Sequence, residues 1–162
     1  MLSTMTHADK DDPRRAELER LSTDEGLGVH YDAHGNSWLA SGESALSCTA
    51  CAELVIELSG GRGSIYGWAD RRNLTARVAL GPGHPAGHDF AVIDDRYLVD
   101  PWAAHVEIST PCAVFDLDDA GDRAAVRHFF GDPATWTVRT EQGFVKGAPR
   151  QLMPSGATNA GS

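Results

Sequence analysis

The spacing of apolar residues changes several times along the chain, and each change predicts an element. Cys48, Ala52, Val55 and Ile56 fall at helical spacings before Gly60-Gly61, which predicts a central buried helix over 47–58 with Ser47 as its N-cap. A shorter, mostly solvated helix over 13–21 is signalled by Pro13 directly after Asp12. Leu74, Ala76, Val78 and Leu80 alternate with polar residues, the pattern of a half-buried strand, and a Gly- and Pro-rich loop follows over 81–87. Two short runs rich in Phe, Val, Ile, Tyr and Leu, 88–93 and 96–99, flank Asp94-Asp95 and predict a β-hairpin closed by Asp100-Pro101. Short strands are expected over 106–108 and 113–117. A helix is expected over 118–130, carrying Ala124, Val126, Phe129 and Phe130 and ended by Gly131, with a last strand over 135–139.

Together these elements predict an α+β fold in which a central Cys-bearing helix packs against an antiparallel β-sheet. A single domain is expected over 13–145, with flexible segments at 1–12 and 146–162, where the apolar pattern is missing. There is no internal repeat. At 162 residues, 41% apolar and 23% charged, with 17 Gly and 8 Pro, the composition is that of a turn-rich globular chain with enough residues for one core.

Charge narrows the partners. Asp and Glu outnumber Lys and Arg by 23 to 14, a formal net charge of -9, and the basic residues are scattered, so nucleic acid is not an expected partner. No apolar run approaches the roughly 20 residues needed to span a bilayer, and 1–20 lacks the apolar core of a signal peptide. The expected location is the cytoplasm, or outside the cell by a route needing no cleaved signal, as for an effector. The three cysteines, Cys48, Cys51 and Cys112, cannot all be paired, so at least one free thiol has to be explained.

Cys48 falls in the first turn of the central helix, where free N–H groups and the helix dipole favour a thiolate. His88 opens a strand, so its ring can project from the sheet end. Asp100 leaves the next strand and could orient that ring through its other nitrogen. Hairpin geometry tests the idea. A reversal centred on Asp94 sets His88 opposite Asp100, whereas a regular two-residue turn at Asp94-Asp95 turns Asp100 away; an odd loop or a bulge is therefore required.

These residues carry a family resemblance. Cys48-Thr-Ala-Cys-Ala52 followed by Glu-Leu-Val-Ile-Glu-Leu58 resembles the nucleophile helix of the papain-like and transglutaminase-like cysteine enzymes. The run from His88 through Asp100-Pro101-Trp102 resembles the His strand, turn, second strand and Asp-Pro of the same superfamily. The resemblance spans about 46–102 and implies a Cys–His–Asp triad of Cys48, His88 and Asp100. It points to compact bacterial papain-fold toxins and effectors, protein glutamine deamidases and small peptidases. Papain-type enzymes carry an oxyanion glutamine six residues before the nucleophile, where this chain has Gly42. The N–H of Cys48, with Asn36 or Trp38, is the candidate replacement.

The implied activity is thiol-dependent hydrolysis or acyl transfer at an amide of a protein or peptide, as a glutamine deamidase or cysteine peptidase, with no cofactor and no metal. Cys51 is a rival nucleophile, and His84 and His105 are rivals to His88. Two other readings compete. Cys48, Cys51, His84 and His88 could form a zinc-binding module, or the fold could serve a non-catalytic interaction protein with buried cysteines.

Overall fold

The computed structural model describes residues 12–81 and 84–154, with the backbone alone at 80, 81, 84 and 85. In chain order the elements are α1 (Pro13–Leu21), β1 (His30–Tyr31), β2 (Ser37–Trp38), α2 (Cys48–Leu58), β3 (Gly63–Trp68), β4 (Leu80–Gly81), β5 (His84–Pro85), β6 (His88–Ile93), β7 (Tyr97–Val99), β8 (Val114–Asp116), α3 (Ala120–Phe130), β9 (Thr137–Thr140) and β10 (Gly143–Lys146). The last strands, β9 and β10, join β3, β6, β7 and β8 in a six-stranded sheet of order β10-β9-β3-β6-β7-β8. Every pairing in it is antiparallel.

Alternation along the strands divides the core into two layers. Ile65, Ala91, Ile93, Val99 and Val114 face α2 and α1, meeting Ala50, Leu54, Val55 and Leu18. Phe90, Val92, Leu98 and Phe115 face the other way, against Val126 and Phe130 of α3 and against Trp136. The expected α+β class therefore holds, with the Cys-bearing helix lying against the antiparallel sheet. Among the described residues no helix is long and apolar enough to cross a membrane.

Helices α1 and α2 both start at side-chain N-caps. Asp12 accepts from the N–H groups of Arg14 and Arg15, and Ser47 accepts from Ala50, so α1 and α2 start where their capping residues place them.

Several expectations are corrected. The segment 74–80 is not a strand in the sheet: Ala76 and Val78 are buried, but the N–H groups of Arg77 and Val78 both donate to Phe129 O, at 2.8 and 3.0 Å. The end of α3 therefore satisfies this backbone in place of a neighbouring strand. The strand expected over 106–108 is instead preceded by a π-helical turn, Trp102–Val106, and Ile108 stands at positive φ, which interrupts any ladder.

The pattern does not announce the central strand β3, nor the shorter β1, β2 and β10. The flexible segments expected at 1–12 and 146–162 fall outside the described residues at 1–11 and 155–162. Between 147 and 154 the chain is docked: Gly147 N–H reaches Trp136 O at 3.1 Å, Arg127 holds Leu152 O at 3.2 Å, and Leu152 is buried.

Candidate functional site

The hairpin of β6 and β7 determines whether His88 and Asp100 meet. Asp94 and Asp95 both take positive φ, and Arg96 N–H donates to Ile93 O at 3.0 Å, which makes a tight reversal that aspartate tolerates. Arg96 is then left over, because Tyr97 is the residue paired with Ile93. The bulge supplies the parity that the site needs. It also moves the centre of the reversal from Asp94 to Asp95, so the register Ala91↔Val99 continues to Phe90 opposite Asp100. His88 and Asp100 are thus diagonal neighbours on one face rather than directly opposite.

They meet all the same: His88 Nε2 lies 2.5 Å from Asp100 Oδ2, and each residue is 2% exposed. The second oxygen of Asp100 accepts from Ala103 N–H at 3.0 Å, and the Asp100 N–H donates to Ala113 O at 2.8 Å. The carboxylate is therefore fixed at the start of the π-helical turn. Aromatic rings wall in the imidazole: Trp102 with a centroid distance of 5.0 Å, Trp68 at 5.4 Å, Phe90 at 6.1 Å and Phe130 at 6.4 Å. Trp102 is itself held by an Nε1–H bond to Leu46 O at 2.9 Å, which ties the acid's turn to the segment leading into α2.

Cys48 arrives from the opposite layer. His88 points to the α3 side of the sheet, but it is the first residue of β6, so no further strand residue separates its ring from the start of α2. Asp89, pointing the other way, accepts from Thr49 Oγ1 at 2.6 Å and fixes the first helical turn to the strand. The Cys48 thiol is half-buried and interacts with the His88 ring and with the N–H of Asp89. With Nε2 taken by Asp100, the other ring nitrogen, Nδ1, is buried and makes no hydrogen bond of strict geometry, and the ring acts on the thiol first by hydrogen bonding and then by charge.

The charges follow from this placement. Burial pushes the Cys48 thiol up, but His88 and the Asp89 N–H outweigh it, and the thiol lies below its ordinary value of 9.0. Burial would lower His88, but the Asp100 carboxylate beside it dominates and holds the ring protonated well above its ordinary range. The other two thiols move in the opposite direction: burial raises Cys51 to about 12 and Cys112 to about 11. Cys51 is 2% exposed and its thiol leans on Ala45 O at 3.6 Å.

The remaining candidates lie elsewhere. Asn36 and Trp38 belong to the β1–β2 hairpin, and both turn side-chain donors to Asp32, Asn36 Nδ2 at 3.2 Å and Trp38 Nε1 at 3.1 Å. The N–H groups of Cys48 and Thr49 have no carbonyl of the helix before them to bind, so they stand at the start of α2 without an intrahelical acceptor. His105 is exposed and lines a cleft of about 230 Å³ with Leu27, Val29, Leu46, Cys51 and Pro101, beside Cys48 and Asp100 in the chain. The side chain of His84 lies outside the described residues. Among the described residues no group of three His, Cys, Asp or Glu side chains is placed to hold a metal ion.

Sequence reasoning missed three contributors. Trp102 follows Asp100-Pro101 directly and could have been flagged as an aromatic neighbour of the acid. Thr49 and Asp89 gave no signal, because a hydroxyl in a first turn and an acid in a strand are each unremarkable alone. Comparison with protein-family models, curated proteins and solved structures finds no match to this chain.

Proposed function

We propose that the chain is a cysteine-dependent amide hydrolase or acyltransferase with Cys48 as nucleophile, His88 as acid and base, and Asp100 as the residue that orients His88. One observation carries this reading: Asp100 occupies Nε2 of a buried imidazole, leaving an uncommitted Nδ1 for a thiol at a helix N-terminus. A thiolate–imidazolium pair is the resting state that such an arrangement favours.

In this mechanism the Cys48 thiolate attacks a carboxamide carbon, and the oxygen's new charge is met by the first-turn N–H groups of α2. Collapse expels an amine or ammonia that takes its proton from His88. Water, giving a proton to His88, then attacks the thioester and frees Cys48; an amine in its place completes a transfer. The resemblance to papain-like and transglutaminase-like enzymes supports a protein or peptide substrate, with glutamine deamidation and peptide hydrolysis as the leading reactions. The cleft next to Leu46 and Pro101 offers room for a substrate side chain.

The test is the pH dependence of iodoacetamide alkylation on the native protein, with labelled cysteines located by mass spectrometry. Cys48 alone should react well below the ordinary thiol range of about 8.5, and His88→Ala should slow it at neutral pH by tenfold or more. Equal reactivity of wild type and variant, or labelling of Cys51 or Cys112 first, would remove the activated pair. It would favour a non-catalytic interaction protein.

A further inference from the structure

Cys51 has no part in the amide chemistry, yet it sits one turn below Cys48 on the same helix. Residues i and i+3 of an α-helix have Cα atoms roughly 5 Å apart, inside the range that a disulfide bridges. Their Cβ atoms start somewhat too far apart for an unstrained bond. Cys48 is the first residue of α2, so it can shift toward Cys51 without breaking a hydrogen bond that its own N–H makes within the helix.

The surroundings divide the labour between the two thiols. Cys48 is partly open to solvent and interacts with the buried His88 ring, whereas Cys51 is almost fully enclosed and lines the cleft. Cys112 is bound to a different place, with its thiol on Val114 O at 3.3 Å in β8.

We propose that Cys48 and Cys51 form a reversible oxidative modification site, in which a hydroperoxide oxidises Cys48 and Cys51 resolves it to an intrahelical disulfide. In the first step the Cys48 thiolate attacks the terminal oxygen of the hydroperoxide. An S–O bond forms as the O–O bond breaks, and the departing alkoxide or hydroxide takes the proton of His88 to leave as an alcohol or water. In the second step the Cys51 sulfur attacks Cys48 sulfur. An S–S bond forms, the S–O bond breaks, and the hydroxyl leaves as water with the Cys51 proton. The two thiols lose two electrons and the peroxide gains them.

A dithiol reductant reverses the change by exchange, becoming a disulfide itself. The strain of an i, i+3 bridge makes it easy to reduce, as a switch requires. The disulfide removes the nucleophile, so its meaning as an off-switch rests on the amide-hydrolase reading, although the bridge itself does not.

The experiment exposes the native chain to a twofold molar excess of hydrogen peroxide, with tryptic peptides mapped before and after reduction. Peptide 21–62 holds both sulfurs and peptide 97–123 holds Cys112. The expected result is a 21–62 peptide two hydrogens lighter, closed to alkylation until dithiothreitol is added, with Cys112 still alkylated after unfolding. In Cys51→Ser, and in Cys51→Ala as a second variant, the bridge should vanish and dimedone should trap a sulfenic acid on Cys48.

A sulfinic acid on Cys48 with Cys51 still free in the wild type overturns the proposal, and so does a bridge to Cys112. Failure here is separable from failure of the enzyme. A bridge in a chain whose Cys48 alkylation ignores His88 retains the redox site and removes the hydrolase, and His88-dependent alkylation without a bridge does the reverse.

Discussion

At the scale of single residues, the pairing of His88 with Asp100 is a statement about stability as well as chemistry. The ring's pKa is raised above its ordinary 6.5 in the folded chain; burial opposes that rise, and the Asp100 carboxylate causes it. A raised folded value means that the pair's contribution is complete below about 6.5 and is lost as pH rises through the folded value. A Cys48→Ala background removes the thiol's own titration from the measurement. Within it, Asp100→Asn should cost about 3 kcal/mol at pH 6, as expected when one partner of a buried charged pair is removed. The gap between the two urea curves should narrow above neutrality. A gap that stays constant from pH 5 to 10 would mean that His88 is neutral throughout and that Asp100 serves only as a hydrogen-bond acceptor.

At the scale of elements, the site depends on how closely β3 and β6 approach. Gly67 pairs with Asp89, and a Cβ at 67 would run into the carbonyl of His88 and the side chain of Asp89. Gly67→Ala should therefore push the strands apart just where the His88 ring leaves the sheet. The expected cost is about 2 kcal/mol in urea unfolding, with Cys48 alkylation slowed in the same protein. Lost stability with unchanged alkylation would show that the start of β6 does not set the position of His88.

The same glycine explains why the central strand is hard to read from sequence. In Gly63–Trp68 two glycines and a serine dilute the β-pattern, and the reason for Gly67, close packing against Asp89, lies in another part of the chain. By contrast α2 was legible because its cap, its apolar stripe and its glycine stop are all local. The meeting of His88 and Asp100 was legible as a condition of parity. The bulge at Arg96 that meets the condition was not, because Asp94-Asp95 alone gives the same turn with or without it. The engagement of Asn36 and Trp38 was not legible for a different reason: both side chains are short-range donors to Asp32, a competition that a reading of each residue alone does not weigh.

At the scale of the whole molecule, helix α1 holds together parts of the chain that the sheet alone does not join. Arg14 binds Asp94 in the β6–β7 turn at 2.8 Å and Ser59 O at the end of α2 at 3.1 Å. Arg15, almost buried, reaches Asp122 at 3.0 Å in the first turn of α3 and Val114 O at 3.1 Å in β8. One side chain thus links α1 on one face, the edge strand, and the helix of the other face. Its value lies in a nearly buried charge with partly buried partners, so deleting it removes one donor from Asp122, which still accepts from Asp116 N–H at 2.7 Å, and one from the Val114 carbonyl, and exchanges a charged hydrogen-bond network for a thioether. Arg15→Met keeps much of the side-chain volume and should lower the free energy of unfolding by about 2–3 kcal/mol at neutral pH, read from urea unfolding. His88, Asp100 and Cys48 are held by contacts of their own, with Ala103, Ala113 and Asp89, none of which involves Arg15. The alkylation rate of Cys48 in the variant should therefore match the wild type while both are folded. A parallel fall in rate would mean that the packing of the sheet edge sets the geometry of the thiol, and that the site is tuned from across the molecule.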